Sequence, residues 1–182
     1  MSIKKSRPKT PRIAPLPPAE IGAEFLKIMN WERAPEKTPN VMATFANYPA
    51  LMKHYLPFSF HLLRSSSLTK REVEILVLRT IGHGQPVYAL HQHRRMARDF
   101  GLGEAEIESL ISGDGMALPE PEQILVKAAD ELFDDQCVSD ATWAILAQRY
   151  NKQQLMDLVF TVANYVVTSM AFNSFGIQVE DW

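Results

Sequence analysis

At 182 residues the chain fits one domain able to bury roughly 70% of its unfolded surface, and 46% hydrophobic against 22% charged residues is a globular balance. The formal net charge of −2 hides an asymmetry: Lys4, Lys5, Arg7, Lys9 and Arg12 put +5 on the first twelve residues and leave −7 on the rest. An acidic body argues against nucleic acid as the main partner, and a single cysteine, Cys137, excludes an intramolecular disulfide and any CxxC metal or redox site.

Residues 1–17 read as an extended basic arm, because Pro8, Pro11, Pro15 and Pro17, with Pro18 following, remove donors and restrict their predecessors. It lacks the apolar core of a secretory signal and reads as a disordered terminus more readily than as a binding element. Residues 18–182 then read as a single helical domain. The pattern predicts a helix over Ala19–Asn30 with Ile21, Phe25, Ile28 and Met29 on one side, a loop over 33–40, and a short helix near Val41–Asn47. Pro49 opens a helix toward Leu63 that Pro57 is expected to bend or interrupt.

Thr69 and Glu72 have capping-box spacing, so a helix begins there. Its run Val73-Glu74-Ile75-Leu76-Val77-Leu78 is apolar nearly all round, the mark of a buried helix, and Gly82 and Gly84 are expected to end it. Pro86 takes a first-turn position in the next helix, which runs to Asp99 and stops at Gly101. Further helices are expected over Gly103–Ser112, from Pro119 through Phe133, over Ala141–Tyr150 with Ser139 as cap, and over Lys152–Phe175 ending at Gly176. In the last of these the apolar stretch Leu158–Phe172 is interrupted by Asn164 and covers about 15 residues, short of a membrane crossing. Its apolar character predicts burial against a partner as readily as within one chain. No segment alternates at period two, so the expected class is all-α; the lone cysteine, the missing signal core and the short apolar stretch make the expectation a soluble cytoplasmic protein.

The chemistry centres on the helix after Pro86. Pro86, Ala89, Leu90, His93, Met96, Ala97 and Phe100 recur at helical spacing, which sets the His93 imidazole in a core-facing stripe with His91 flanking it. Such a histidine is either structural, bonded to backbone, or a general acid–base that needs a carboxylate to fix its tautomer. Glu74 can supply that carboxylate, since an acid within an apolar helix costs several kcal/mol unless paired or protonated. A short Gly-containing turn joins the two helices and can bring residue 74 beside residue 93; the alternative is that Glu74 reaches solvent or pairs with Arg79 or Arg64. Cys137 follows two acids and makes a poor thiolate nucleophile. His83, His91 and His93 do not have metal-ligand spacing, and no metal is expected.

The stretch from Arg71-Glu72-Val73-Glu74 to Arg79, then His93-Arg94-Arg95-Met96-Ala97-Arg98-Asp99-Phe100-Gly101-Leu102, resembles the core of the carboxymuconolactone decarboxylase family, whose superfamily holds the alkylhydroperoxidase D-like proteins. The resemblance continues in order through Glu106-Ile107, Ala128-Ala129-Asp130-Glu131-Leu132, Val138 to Trp143, Asn164-Tyr165 and Phe172 to Ile177, spanning residues 18–180. It implies an all-α bundle of eight to nine helices that assembles as a homo-oligomer, commonly a trimer or hexamer. The redox branch of the superfamily pairs a Glu and a His with two cysteines. Glu74 and His93 match that acid and histidine, but Pro86 and Ala89 stand at the cysteine positions, so dithiol peroxidase activity is not implied.

Many relatives carry Glu-Tyr-Glu-Trp-x-x-His; here the stretch is Val87-Tyr88-Ala89-Leu90-His91-Gln92-His93, with both glutamates gone and His91 added. The decarboxylase branch is a lyase of aromatic catabolism that needs no metal or cofactor and acts on a small molecule, with neither nucleic acid nor membrane as partner. The resemblance therefore nominates His93, Glu74, Tyr88 and His91 as catalytic, and Arg94 or Arg95, with Asn164 and Tyr165, as substrate-binding. The opposing reading is a non-catalytic helical oligomer, or a vestigial peroxidase relative, in which Glu74 and His93 are a buried structural pair.

Overall fold

The computed structural model describes residues 6–182; Lys4 and Lys5 of the basic arm lie outside them. Among the described residues there are nine α-helices and no strand: α1 Ala23–Met29, α2 Asn40–Phe45, α3 Pro49–Phe60, α4 Lys70–Gly84, α5 Val87–Asp99, α6 Glu104–Ser112, α7 Glu120–Asp134, α8 Asp140–Arg149 and α9 Lys152–Phe175. The all-α class and the helix count agree with the sequence pattern. The chain divides into two compact units, one built from the chain up to Ser59 together with Ala171–Trp182, the other from Phe60–Met170.

The larger unit is organised around α4. Its residues Ile75 to Leu78 and Ile81 are fully buried, as a helix apolar on all sides must be, and it packs against α5, α6 and α7. The helix does not end at Gly82. It runs on through Gly84, and Gln85 closes it in the left-handed region at φ 53°. Gly82 serves contact instead of termination: a Cβ there would lie 2.7 Å from the Ile111 carbonyl oxygen and 3.0 Å from that of Leu110, so glycine lets α4 approach the α6 backbone. Gly84 does the same against α9, where a Cβ would lie 2.7 Å from the Ser169 side chain.

Three buried or half-buried charge clusters tie this unit together. Arg71 bonds Glu106 at 2.6 Å and Glu122 at 2.8 Å, joining α4 to α6 and α7, and these partners raise its already high pKa further. Arg79 clamps Asp130 through Nε at 2.5 Å and Nη2 at 2.9 Å. At the start of α4 the capping box is present in both directions, with Glu72 Oε2 accepting from the Thr69 amide at 2.9 Å. Burial pushes the Glu72 carboxyl up, but hydrogen bonds donated by the Tyr150 hydroxyl and by Thr69 prevail and hold it below the usual range.

In the smaller unit the expected helix over Ala19–Asn30 is shorter. A 3₁₀ turn at Pro18–Glu20 precedes it, and α1 starts only after extended Gly22. Pro57 sits inside α3 without ending it, and the helix passes at Phe60 into a π turn over His61–Ser65. The described part of the arm is held in place instead of hanging free: the amides of Arg12 and Ile13 donate to the Phe175 carbonyl at 2.8 and 3.2 Å, and the Leu16 amide donates to the Ala43 carbonyl at 3.1 Å. Prolines leave the arm few amides, and these three find carbonyls at the end of α9 and in α2.

Candidate functional site

Each side chain of the site arrives by a local rule. The capping box fixes where α4 begins, which fixes the phase that turns Glu74 inward five residues later. Pro86 is the N-cap of α5, so His93 lies two turns in, on the buried side with Ala89 and Ala97. The α4–α5 turn then sets the helices side by side, and His93 Nδ1 meets Glu74 Oε2 at 2.9 Å and Oε1 at 3.2 Å. A carboxylate only accepts, so Nδ1 carries the hydrogen and donates. Glu74 is wholly buried and His93 is 6% exposed, so neither is exchanged freely for water. His93 Nε2 bonds no described residue.

Tyr165 of α9 presses on the same imidazole edge-on, with ring centroids 5.0 Å apart and planes at 87°. This contact draws α9 into the site. Its buried side carries polar groups over two turns, with Thr161, Asn164, Tyr165, Thr168 and Ser169 all buried alongside the apolar Leu155, Leu158 and Val162. The Ser169 hydroxyl is satisfied by the Tyr165 carbonyl at 2.7 Å. The Thr161 hydroxyl, one turn before Tyr165, has no hydrogen-bond partner among the described residues. A buried hydroxyl in that state costs about 1–3 kcal/mol.

The structure thus brings Glu74, His93 and Tyr165 together, with Asn164 buried beside Tyr165 on α9. Tyr88 is buried at the first turn of α5, whereas His91 is exposed and turned away from the pair. Arg94 is turned outward into an ion pair with Glu108, with Glu104 at 3.7 Å, and Arg95 is exposed. Arg79 is engaged with Asp130 and Arg64 lies over the Phe60 ring at 4.4 Å, so His93, and neither arginine, is the partner of Glu74. Pro86 and Ala89, at the positions where the redox branch has cysteines, are buried, and Cys137 is exposed beyond the end of α7.

Sequence reasoning did not pick out Thr161, whose signal is a threonine on the same helical face as Asn164 and Tyr165. It also missed a second acid–histidine contact, His83 Nε2 to Asp130 Oδ1 at 2.7 Å, with the imidazole stacked on Phe133 at 4.5 Å. There Arg79 already compensates the acid, and burial, which would raise the Asp130 pKa, is outweighed by bonds from His83 and Arg79 that lower it. That cluster joins α4 to α7 and is a brace. Among the described residues no three His, Cys, Asp or Glu side chains converge as a metal site would require.

No protein-family model and no curated protein matches the chain in sequence. Solved structures do match in fold. A peroxidase-related protein of Ralstonia eutropha JMP134 with an alkylhydroperoxidase AhpD core superposes with a TM-score of 0.75 at 18% identity, covering 94% of this chain and 95% of that one. A peroxidase-related protein of Silicibacter sp. TM1040 gives 0.77 at 17% identity, covering 97% and 95%. The debrominase Bmp8, as a cysteine-to-alanine variant in complex with 2,3,4-tribromopyrrole, gives 0.68 at 10% identity, covering 97% and 95%. The chain has the alkylhydroperoxidase D-like fold.

Proposed function

We propose that the chain is a cofactor-independent lyase that uses His93 as general acid–base and Glu74 as its positioning partner on a small carboxylated or lactone-like substrate. The observation that carries this reading is the buried Nδ1–Glu74 contact combined with an Nε2 that bonds no described residue. Glu74 fixes the tautomer and compensates the imidazolium charge, while Nε2 exchanges the proton. In the reaction the bond from the substrate carbon to its carboxylate breaks and carbon dioxide leaves. The electron pair stays on the substrate as a delocalised enolate, and His93 Nε2 delivers a proton to carbon and is reprotonated from water. The Tyr165 ring orients the imidazole, and the Thr161 hydroxyl is a buried donor on the same α9 face that a substrate oxygen could engage.

Bmp8, of the same fold, holds a brominated pyrrole, and this supports a small planar substrate in place of a macromolecule. Dithiol peroxide reduction needs two thiols, and this sequence has one, so the peroxidase-related neighbours are followed in fold only.

The test is turnover of a panel of unsaturated lactone acids and β-keto acids, read as carbon dioxide release. His93→Gln should lose about 10²–10⁴-fold in rate while keeping its circular dichroism, and Glu74→Gln should lose less. Folded variants that turn over substrate like wild type, or a wild type inert on the whole panel with variants that simply unfold, would favour the structural-pair reading.

A further inference from the structure

On the larger unit, α8 and α9 border an open groove of about 480 Å³, lined by Trp143 of α8 and by Lys152, Leu155, Met156, Val159 and Phe160 of α9. That volume lies in the range of small-molecule sites, which are mostly apolar with a few polar groups that fix orientation. None of these residues belongs to the Glu74–His93 site. On α9 they recur at alternating spacings of three and one, a single stripe along the helix. Leu155 is buried and Val159 half-buried, so they form the floor, while Trp143, Met156 and Phe160, 42%, 60% and 45% exposed, form the sides.

Lys152 is the one charged side chain in the groove, and it stands at one end of the stripe, as the first residue of α9. Elsewhere in this unit cations are claimed. Arg71, Arg79, Arg94, Arg98, Lys127 and Arg149 meet carboxylates. Lys70 donates to the Leu63 and Arg64 carbonyls, and Arg64 lies over the Phe60 ring. Among the described lysines and arginines of the unit only Lys152 and Arg95 have no such partner, and of these Lys152 lines the groove. We propose that the groove binds a free single-chain carboxylate, its head on the Lys152 ammonium and its hydrocarbon chain laid along α9 toward Phe160.

The lining side chains select this chemistry. Apart from the weak thioether of Met156 they offer donors only, the ammonium and the Trp143 indole N–H. A carboxylate only accepts, so it suits them, whereas a peptide would bring N–H groups that find no acceptor there. A neutral hydrocarbon would fill the apolar part and leave the ammonium uncompensated. The length follows from the helix: from residue 152 to residue 160 it rises about 12 Å. An extended chain advances roughly 1.2 Å per bond, so about ten carbons span the stripe. The flexible Met156 side chain can follow such a chain as it bends.

The probe is decanoate, titrated calorimetrically into the full chain below its micellar concentration, with decan-1-ol and butanoate as comparisons. One decanoate should bind per chain, about fivefold tighter than decan-1-ol, the worth of an exposed ion pair. Butanoate should bind far more weakly, having lost most of the buried methylenes. Lys152→Met should remove the fivefold advantage and leave decan-1-ol unchanged, and added salt should reduce it likewise. Met156→Glu, at an exposed position, sets a carboxylate in the groove and should abolish decanoate binding with unchanged helical circular dichroism. Equal affinities for decanoate and decan-1-ol, no saturable binding, or binding that ignores both variants would overturn the proposal. So would a chain that binds phosphatidylglycerol vesicles but not decanoate, which would make a lipid surface the occupant. Decanoate binding that disappears as protein concentration rises would overturn it too, by making a second copy the occupant.

Discussion

Removing both members of the Glu74–His93 pair should destabilise the protein by clearly less than the sum of removing each alone. Glu74→Met keeps volume but strips the only described acceptor from His93 Nδ1–H, a donor 6% exposed that water reaches poorly. Leaving such a donor unmet costs about 1–3 kcal/mol, and breaking a buried ion pair about 3–5 kcal/mol. His93→Leu leaves the acid in a fully enclosed site and should sit at the upper end of that range. The double variant Glu74→Met/His93→Leu leaves no orphan, so its loss should fall below the sum of the singles by about 2 kcal/mol or more. Glu74→Gln keeps an acceptor and should cost only about 1–2 kcal/mol. Urea unfolding followed by both tryptophan fluorescence and circular dichroism measures each value, coincidence of the two traces being required first. Additive single losses, each under about 1 kcal/mol, would refute the coupled buried pair.

The remaining expectations concern acid, packing and redox. Glu72, Glu106, Asp130 and Asp157 are each held below their ordinary values by the donors around them, against the opposing pull of burial. Groups depressed in the folded state stabilise it fully above their unfolded values, 4.5 for Glu and 3.8 for Asp, and lose that contribution as pH falls further. A thermal midpoint flat down to that range and falling below it is expected; a midpoint that rises on acidification would contradict the assignment. Gly82→Ala should cost about 1–3 kcal/mol in urea, because its Cβ meets Ile111 and Leu110 backbone that cannot rotate away. With a dithiol donor the protein should consume peroxide no faster than its Cys137→Ser variant; dithiol-dependent turnover would overturn the exclusion of peroxidase chemistry.

The parts of the fold that are legible in sequence are those with local causes. The Thr69–Glu72 box and the stripe through His93 are short-range signals, and both helices begin and run where those signals place them. The contact between Glu74 and His93 is legible only as one of several options, because helical spacing gives each residue's face but not the crossing that joins them. Gly82 misleads for a related reason. As punctuation it should end a helix, yet it answers to the backbone of α6, which no local pattern displays. The arm reads as free because its composition is that of a disordered tail, whereas the Arg12 and Ile13 amides are taken by the carbonyl of Phe175, far away in sequence.

Helix α9 contributes Tyr165 to the site from its buried side. Hydropathy alone makes it a 24-residue apolar helix, long enough on that count to cross a membrane. Thr161, Asn164, Tyr165 and Thr168 share the buried side with Leu155, Leu158 and Val162, and Tyr165 meets His93. Burying such polar groups is costly unless they are bonded or serve the site, while Met156, Phe160, Val167 and Met170 stay exposed. The polar groups set among the buried apolar ones are therefore the part of α9 that packing alone does not explain.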